Sequence, residues 1–221
     1  MGIPVFVLGE SGSGKSTSLR NFEKKDFGLI SVVGKPLPFK TDIKPYNINK
    51  VSKEKKKDRY TLIKSALLKS EVKTIVIDDS QYLLAFDSFD KAKEVGYGKF
   101  TDMAVNFKNL IEFCIDDLPD DKIVYFLHHC ETTEFGKTKA KTIGKMLDSQ
   151  LTIEGLFSIV IFCVSDNGVH KFVTQSDGVT TAKSPMDMLP LEMDNDLKAV
   201  DTAIREYYEF ENKGEENNET H

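Results

Sequence analysis

Apolar residues along the chain gather into short unbroken runs, and between the runs they recur every three or four positions. The first run, residues 3–8, has the length and lack of alternation of a strand buried on both faces. A Gly/Ser-rich segment follows at once, and residues 16–22 read as helix. A second run, 29–33, is stopped by Gly34, Pro36 and Pro38. Tyr60, Ile63, Leu67 and Leu68 mark a helix over 58–68, and 74–77 a strand that runs into Asp78 and Asp79. Helical spacing returns over 81–94 and 100–114, divided by Gly96-Tyr97-Gly98, and the strand 123–127 is expected to end at His128 and His129. Runs 157–164 and 169–174 flank Ser165-Asp166-Asn167-Gly168, where Asn-Gly predicts a tight hairpin. A final helix is expected over 197–210.

Strands alternating with helices predict an α/β fold: a mostly parallel central sheet, helices on both faces and an antiparallel edge hairpin. Ligands of such sheets bind beyond the carboxyl ends of the strands. Residues 1–210 are expected to form a single domain. Within it, about 35–57 is polar, proline-punctuated and rich in lysine, the pattern of a flexible basic insertion. Residues 211–221 read as a disordered acidic tail.

Composition narrows this picture. The 221 residues suit one large α/β domain, and 40% hydrophobic with 29% charged residues is enough to fill a core and keep a solvated surface. The apolar runs fall far short of the roughly 20 residues of a membrane span, and no basic leader precedes Glu10, so neither membrane insertion nor export is expected. Cys114, Cys130 and Cys163 are scattered without metal-ligand spacing, which points to a reducing cytoplasm. The net charge of −5 conceals an asymmetry. Residues 35–73 carry twelve Lys/Arg against four Asp/Glu, a local charge of +8, whereas 186–221 carry three against eleven, or −8. The basic stretch can meet a polyanion.

The segment Gly9-Glu10-Ser11-Gly12-Ser13-Gly14-Lys15-Ser16, followed by Thr17, matches the phosphate-loop pattern G-x-x-x-x-G-K-[ST] between a strand and a helix. A triphosphate needs backbone N–H groups converging on one concavity, which favours residues without Cβ and a helix N-terminus facing the anion. Lys15 is placed to neutralise phosphate oxygens, and the Ser16 hydroxyl to enter a Mg²⁺ shell. Asp78, at the end of an apolar strand, is the expected second Mg²⁺ partner. Asp79 either orients or deprotonates the attacking water, or else Asp79 or Ser80 is simply the cap of the next helix. His128, preferred to His129, either senses the terminal phosphate or is a satisfied strand-end residue. Only three arginines occur, Arg20, Arg59 and Arg205, so the arginine-rich lid of small-molecule kinases is missing. Lys137, Lys139, Lys141, Lys145 and Lys183 are candidate replacements, in cis or from a neighbouring subunit, or else a solvated basic surface.

With the loop, the Ile77-Asp78-Asp79 strand end and His128-His129, the sequence resembles the small RecA-like P-loop ATPases of the ASCE type encoded by bacteriophages. Gly34-Lys35-Pro36-Leu37-Pro38-Phe39, Lys141-Thr142-Ile143-Gly144-Lys145, Ile153-Glu154-Gly155, Ala182-Lys183-Ser184-Pro185 and Asn195-Asp196-Leu197 extend the resemblance over nearly the whole chain. It implies an ATP- and Mg²⁺-dependent ATPase in the bacterial host cytoplasm. It also implies a homo-oligomer acting on single-stranded DNA in recombination or replication, with a phage single-strand binding or annealing protein as a possible partner. The chain departs from the family where a catalytic glutamate is expected, because the strand after the loop runs into Val32, Val33 and Gly34. Asp79 or Glu131 would have to substitute, and slow or partner-stimulated hydrolysis follows. DNA contact would fall to residues 50–59 and 137–145, with Tyr60 or Phe135 stacking on bases. The rival functions are a small-molecule P-loop kinase and an ATP-gated loader or adaptor with little turnover.

Overall fold

Each long apolar run becomes a strand of one sheet. The computed structural model describes residues 1–144, 147 and 151–210. In chain order these form β1 (Ile3–Gly9), β2 (Phe27–Ser31), β3 (Tyr46–Asn47), α1 (Ile48–Lys55), α2 (Arg59–Lys69), β4 (Thr74–Asp78), α3 (Gln81–Asp90) and α4 (Gly98–Asp116). There follow β5 (Ile123–Thr132), β6 (Thr138–Ala140), β7 (Ile159–Asp166), β8 (Val169–Val173), β9 (Glu192–Asp194) and α5 (Leu197–Tyr207). The sheet order is β3-β2-β4-β5-β1-β7-β8-β9, with β6 paired to β5 alone. Pairings from β3 through β7 are parallel, and β8 and β9 add an antiparallel edge.

The period of two along β1 divides the core. Phe6 and Leu8 join Ile63, Phe107 and Leu110 beneath α2–α4, while Val5 and Val7 join Leu19, Val200 and Ile204 beneath α5. Burial on both faces removes any need for polar residues to alternate, which is why the strands read as continuous apolar runs. The hairpin is as expected: Asn167 and Gly168 have φ of 48° and 80°, the left-handed pair that a two-residue turn between twisted strands requires. Asp196 caps α5 by accepting from the Lys198 and Ala199 amides.

Two expectations need correction, a third is refined, and two short strands are added. The helix expected over 16–22 is present over residues 16–21 as a 3₁₀ helix. Residues 35–57 are not simply a loop, since β3 and α1 lie within them. Ile48 is fully buried there and Asn47 caps α1 by accepting from the Lys50 amide, too few apolar anchors to stand out in a lysine-rich stretch. β5 does not stop at the histidines: Leu8 pairs with His128 and Gly9 with His129, and β6 then takes over the pairing from Cys130. β6 and β9, each three residues long, were too short to leave a periodic signal. Lys145 and residues 211–221 lie outside the described residues. Among the described residues no helix is long and apolar enough to cross a membrane.

Candidate functional site

β1 delivers the chain to Gly9 at the carboxyl end of the sheet, and the turn that follows is built on missing Cβ atoms. A Cβ at Gly9 would lie 2.4 Å from Ser13 Oγ and 2.6 Å from the Cys163 carbonyl. Gly12 and Gly14 adopt φ of 81° and 100°, which disfavour any side chain, and Gly14 packs against the His170 ring. Lys15 folds back over the turn, its Nζ donating to the carbonyls of Gly9 (2.7 Å) and Glu10 (2.8 Å). Burial lowers its pKa, against the opposing pull of nearby acidic groups including Asp79 and Asp78.

Parallel neighbours end on the same side of a sheet, so β4 brings Asp78 to this turn. Ser16 Oγ donates to Asp78 Oδ1 at 3.0 Å across 62 positions of sequence. Burial and the adjacent Asp79 charge raise the pKa of Asp78, while Ser16 pulls it the other way. Asp79 turns away in the left-handed region at φ 60°. Its Oδ2 accepts from Lys35 Nζ at 3.1 Å, and its Oδ1 lies 3.4 Å from His129 Nε2. Burial alone would raise its pKa, but His129 and Lys35 outweigh that and hold it below the usual carboxylate range. Gly12, Gly14, Lys15, Ser16, Thr17, Lys35, Asp78, Asp79 and His129 together line a cleft of about 240 Å³.

On the other side of the turn, Glu10, Ser11, Ser13, Cys130 and Cys163 line a second cavity of about 410 Å³. Cys163 Sγ donates to the Ser13 carbonyl at 3.0 Å and accepts from Asn195 Nδ2 at 3.1 Å. Burial pushes its thiol up to about 11, so the proton that braces the turn stays in place at neutral pH.

The sequence expectations fare unevenly. Lys15, Ser16, Asp78 and Asp79 converge as anticipated, and Ser80 makes no side-chain cap. His128 does not face the cleft. The alternation of β5 turns it into the core, fully buried, with Nε2 2.9 Å from the Lys141 carbonyl and Nδ1 3.0 Å from Ser80 Oγ. His129, passed over in favour of its neighbour, is the histidine on the cleft wall. Glu131 sits further along β5, 3.7 Å from Lys139. All three arginines are engaged elsewhere: Arg20 with Asn195, Arg59 with Asp87 and Asp90, Arg205 with Asp201. Lys35 was the missed residue. Its signal lay in Gly34-Lys35-Pro36, directly after a strand that the sheet order places next to β4.

Among the described residues no group of three or more His, Cys, Asp and Glu side chains gathers as a metal site. Ser16 and Asp78 nevertheless supply the hydroxyl and carboxylate oxygens that suit Mg²⁺, an ion that completes its shell with water and substrate phosphates. Ser13 Oγ, buried in the turn, is without a hydrogen-bond partner, a polar atom in keeping with an anion cradle. No protein-family model and no curated protein matches the chain.

Proposed function

We propose that the protein is a Mg²⁺-dependent ATPase of the RecA-like P-loop class, working on single-stranded DNA as a homo-oligomer in phage recombination or replication. The observation that carries the ATPase reading is the 3.0 Å contact between Ser16 and Asp78 beside a turn whose Gly12 and Gly14 are left-handed. Two motifs 62 positions apart meet at one cleft, which supports a reading in which they share a triphosphate and its ion. β5 lies between the strand that carries the turn and the strand that carries Asp78.

Within this reading the turn and Lys15 bind the phosphate chain, Lys15 exchanging its carbonyl partners for phosphate oxygens. Ser16 and Asp78 hold the ion. Bound ATP with Mg²⁺ supplies the anhydride to be cleaved and the divalent charge that offsets its negative oxygens. Asp79, on the same wall, is the residue placed to orient water. Its pairing with Lys35 and His129 lowers its basicity, which supports slow turnover by the isolated chain. The engagement of all three arginines speaks against a small-molecule kinase. An adaptor with little turnover remains the second reading, favoured by that same occupied Asp79.

Support for DNA is the turn between β5 and β6, where Phe135 is 93% exposed beside Lys137, together with the lysines of α1. Aromatic stacking and phosphate pairing there would be sequence-tolerant and salt-sensitive. A single-strand binding or annealing protein fits the same setting as partner.

The test is ATP turnover with and without single-stranded DNA over a salt series. DNA-stimulated turnover that fades with salt supports the proposal. Transfer of phosphate to a small acceptor would establish the kinase, and tight ATP binding without turnover the adaptor. Lys15→Ala should abolish nucleotide binding or turnover, and Asp78→Asn should remove the Mg²⁺ dependence; unchanged activity in both would move the site elsewhere.

A further inference from the structure

Lys35 is the second lysine of the cleft, and the reading above gives it no contact with the nucleotide, only its pairing with Asp79. We infer that Lys35 is the residue by which the cleft distinguishes a nucleoside triphosphate from a diphosphate, a cation held on Asp79 and exchanged onto the terminal phosphate. This rests on the nucleotide reading of the cleft and deepens it.

Three features of the geometry carry the inference. First, the backbone at this position is pinned while the side chain is largely exposed and held at its tip. Gly34 is left-handed at φ 84° and packed on Asn47, and Pro36 fixes the other flank. The lysine side chain itself is 57% exposed, against 11% for its partner Asp79. Its other neighbour is the Tyr82 ring, 5.4 Å below the ammonium, a face over which a cation can slide without losing all favourable contact.

Second, Asp79 does not depend on Lys35 alone. His129 Nε2 stands 3.4 Å from the opposite carboxylate oxygen, so withdrawal of the lysine leaves the buried acid with a neighbour on its other side. His129 Nε2 has no hydrogen-bond partner of its own, so closing that gap would limit the penalty of a stranded buried charge. Third, Lys15 is drawn toward the β1 end of the turn by the Gly9 and Glu10 carbonyls, whereas Lys35 enters the same cleft from β2 across the Asp78–Asp79 wall. The two cations therefore approach a bound phosphate chain from different sides.

A ligand shifts such an equilibrium only through its differential affinity for the two arrangements. A triphosphate offers an additional anionic group to compete with Asp79, and a diphosphate does not. Exchange would also release one oxygen of Asp79 toward the cleft, linking recognition of the terminal phosphate to the freeing of the residue that faces water.

The experiment measures dissociation constants, by titration calorimetry with Mg²⁺, for ADP and for a non-hydrolysable ATP analogue. The proteins are the wild type, Lys35→Ala, Lys35→Arg and Lys15→Ala. Loss of a charge-assisted contact made only by the terminal phosphate should weaken analogue binding to Lys35→Ala about 10-fold or more, with ADP affinity within about 2-fold of wild type. Lys35→Arg should recover most of the preference, and Lys15→Ala should lose both ligands. Equal weakening for both nucleotides, no change for either, or a wild type that binds the two alike would overturn the role of Lys35 while leaving the nucleotide site intact. A wild type that binds neither would remove the nucleotide reading itself, and this inference with it.

Discussion

His128 supplies a sharp test because its complete burial favours the neutral ring. The Lys141 carbonyl accepts a hydrogen bond from Nε2–H, and the Ser80 hydroxyl, 3.1 Å from the Leu127 carbonyl and 3.0 Å from Nδ1, has one hydrogen to give to either; with Nδ1 unprotonated it can go to the ring. That is the neutral Nε2–H imidazole. Burial drives its pKa down from 6.5 to about 3, the Lys141 hydrogen bond only partly opposing it. A depressed histidine pKa means that the unfolded chain binds the extra proton, so its contribution to stability is complete above pH 6.5 and is lost as pH falls toward 3. At about 1.36 kcal/mol per unit, roughly 2 kcal/mol should go by about pH 5. Asp87 acts in the opposite sense. Burial lifts its carboxyl to about 6 despite the Arg59 charge, so the folded state takes up that proton first and gains about 1.4 kcal/mol by about pH 5. The two partly cancel in the wild type, and the histidine is isolated only as a difference. His128→Gln, which keeps a neutral donor and acceptor, should be less stable than wild type at neutral pH by an amount that shrinks by about 2 kcal/mol as the pH drops to about 5. Urea unfolding followed by circular dichroism between about pH 5 and 8 reads this directly. A difference independent of pH would refute the buried neutral imidazole. Nucleotide affinity of this variant should equal that of wild type, because the ring faces the core and not the cleft.

Two further substitutions probe the scaffold. Gly34→Ala sets a side chain at φ 84° and 1.9 Å from Asn47 Nδ2, and should cost about 1–3 kcal/mol in denaturant unfolding while loosening α1. Unchanged stability would mean that the 34–47 contact is dispensable. Asp201 accepts from Thr74 Oγ1 (2.9 Å), Tyr125 OH (3.1 Å) and Arg205 Nε (2.8 Å) at the end of the sheet opposite the cleft. Asp201→Ala removes the carboxylate partner of Arg205, leaving it the Asp121 carbonyl (3.1 Å) and the Thr74 hydroxyl (2.8 Å), and should cost about 3 kcal/mol with nucleotide binding retained; a loss below about 1 kcal/mol would show that those neutral partners and solvent already satisfy the arginine.

Much of the protein is legible in its sequence. The runs at β1, β4, β5 and β7 are unbroken because both faces of the sheet are covered, so strand identity and the parallel α/β class follow from local pattern. The Gly9–Ser16 turn was legible because its chemistry is contiguous: glycines, lysine and serine act within one loop, and the Asn167-Gly168 hairpin is set by local φ in the same way. Tertiary structure decided whatever depends on sheet order or on the face a side chain takes. Lys35 reaches Asp79 only because β2 lies next to β4. His128 and His129 exchange places between core and cleft because β5 continues through them, and one step along a strand reverses the face. Cys163 and Asn195 brace Ser13 only because β7 adjoins β1 and the chain returns past the turn before α5. Such contacts join positions far apart in the chain, and neither helical nor strand periodicity carries information about them.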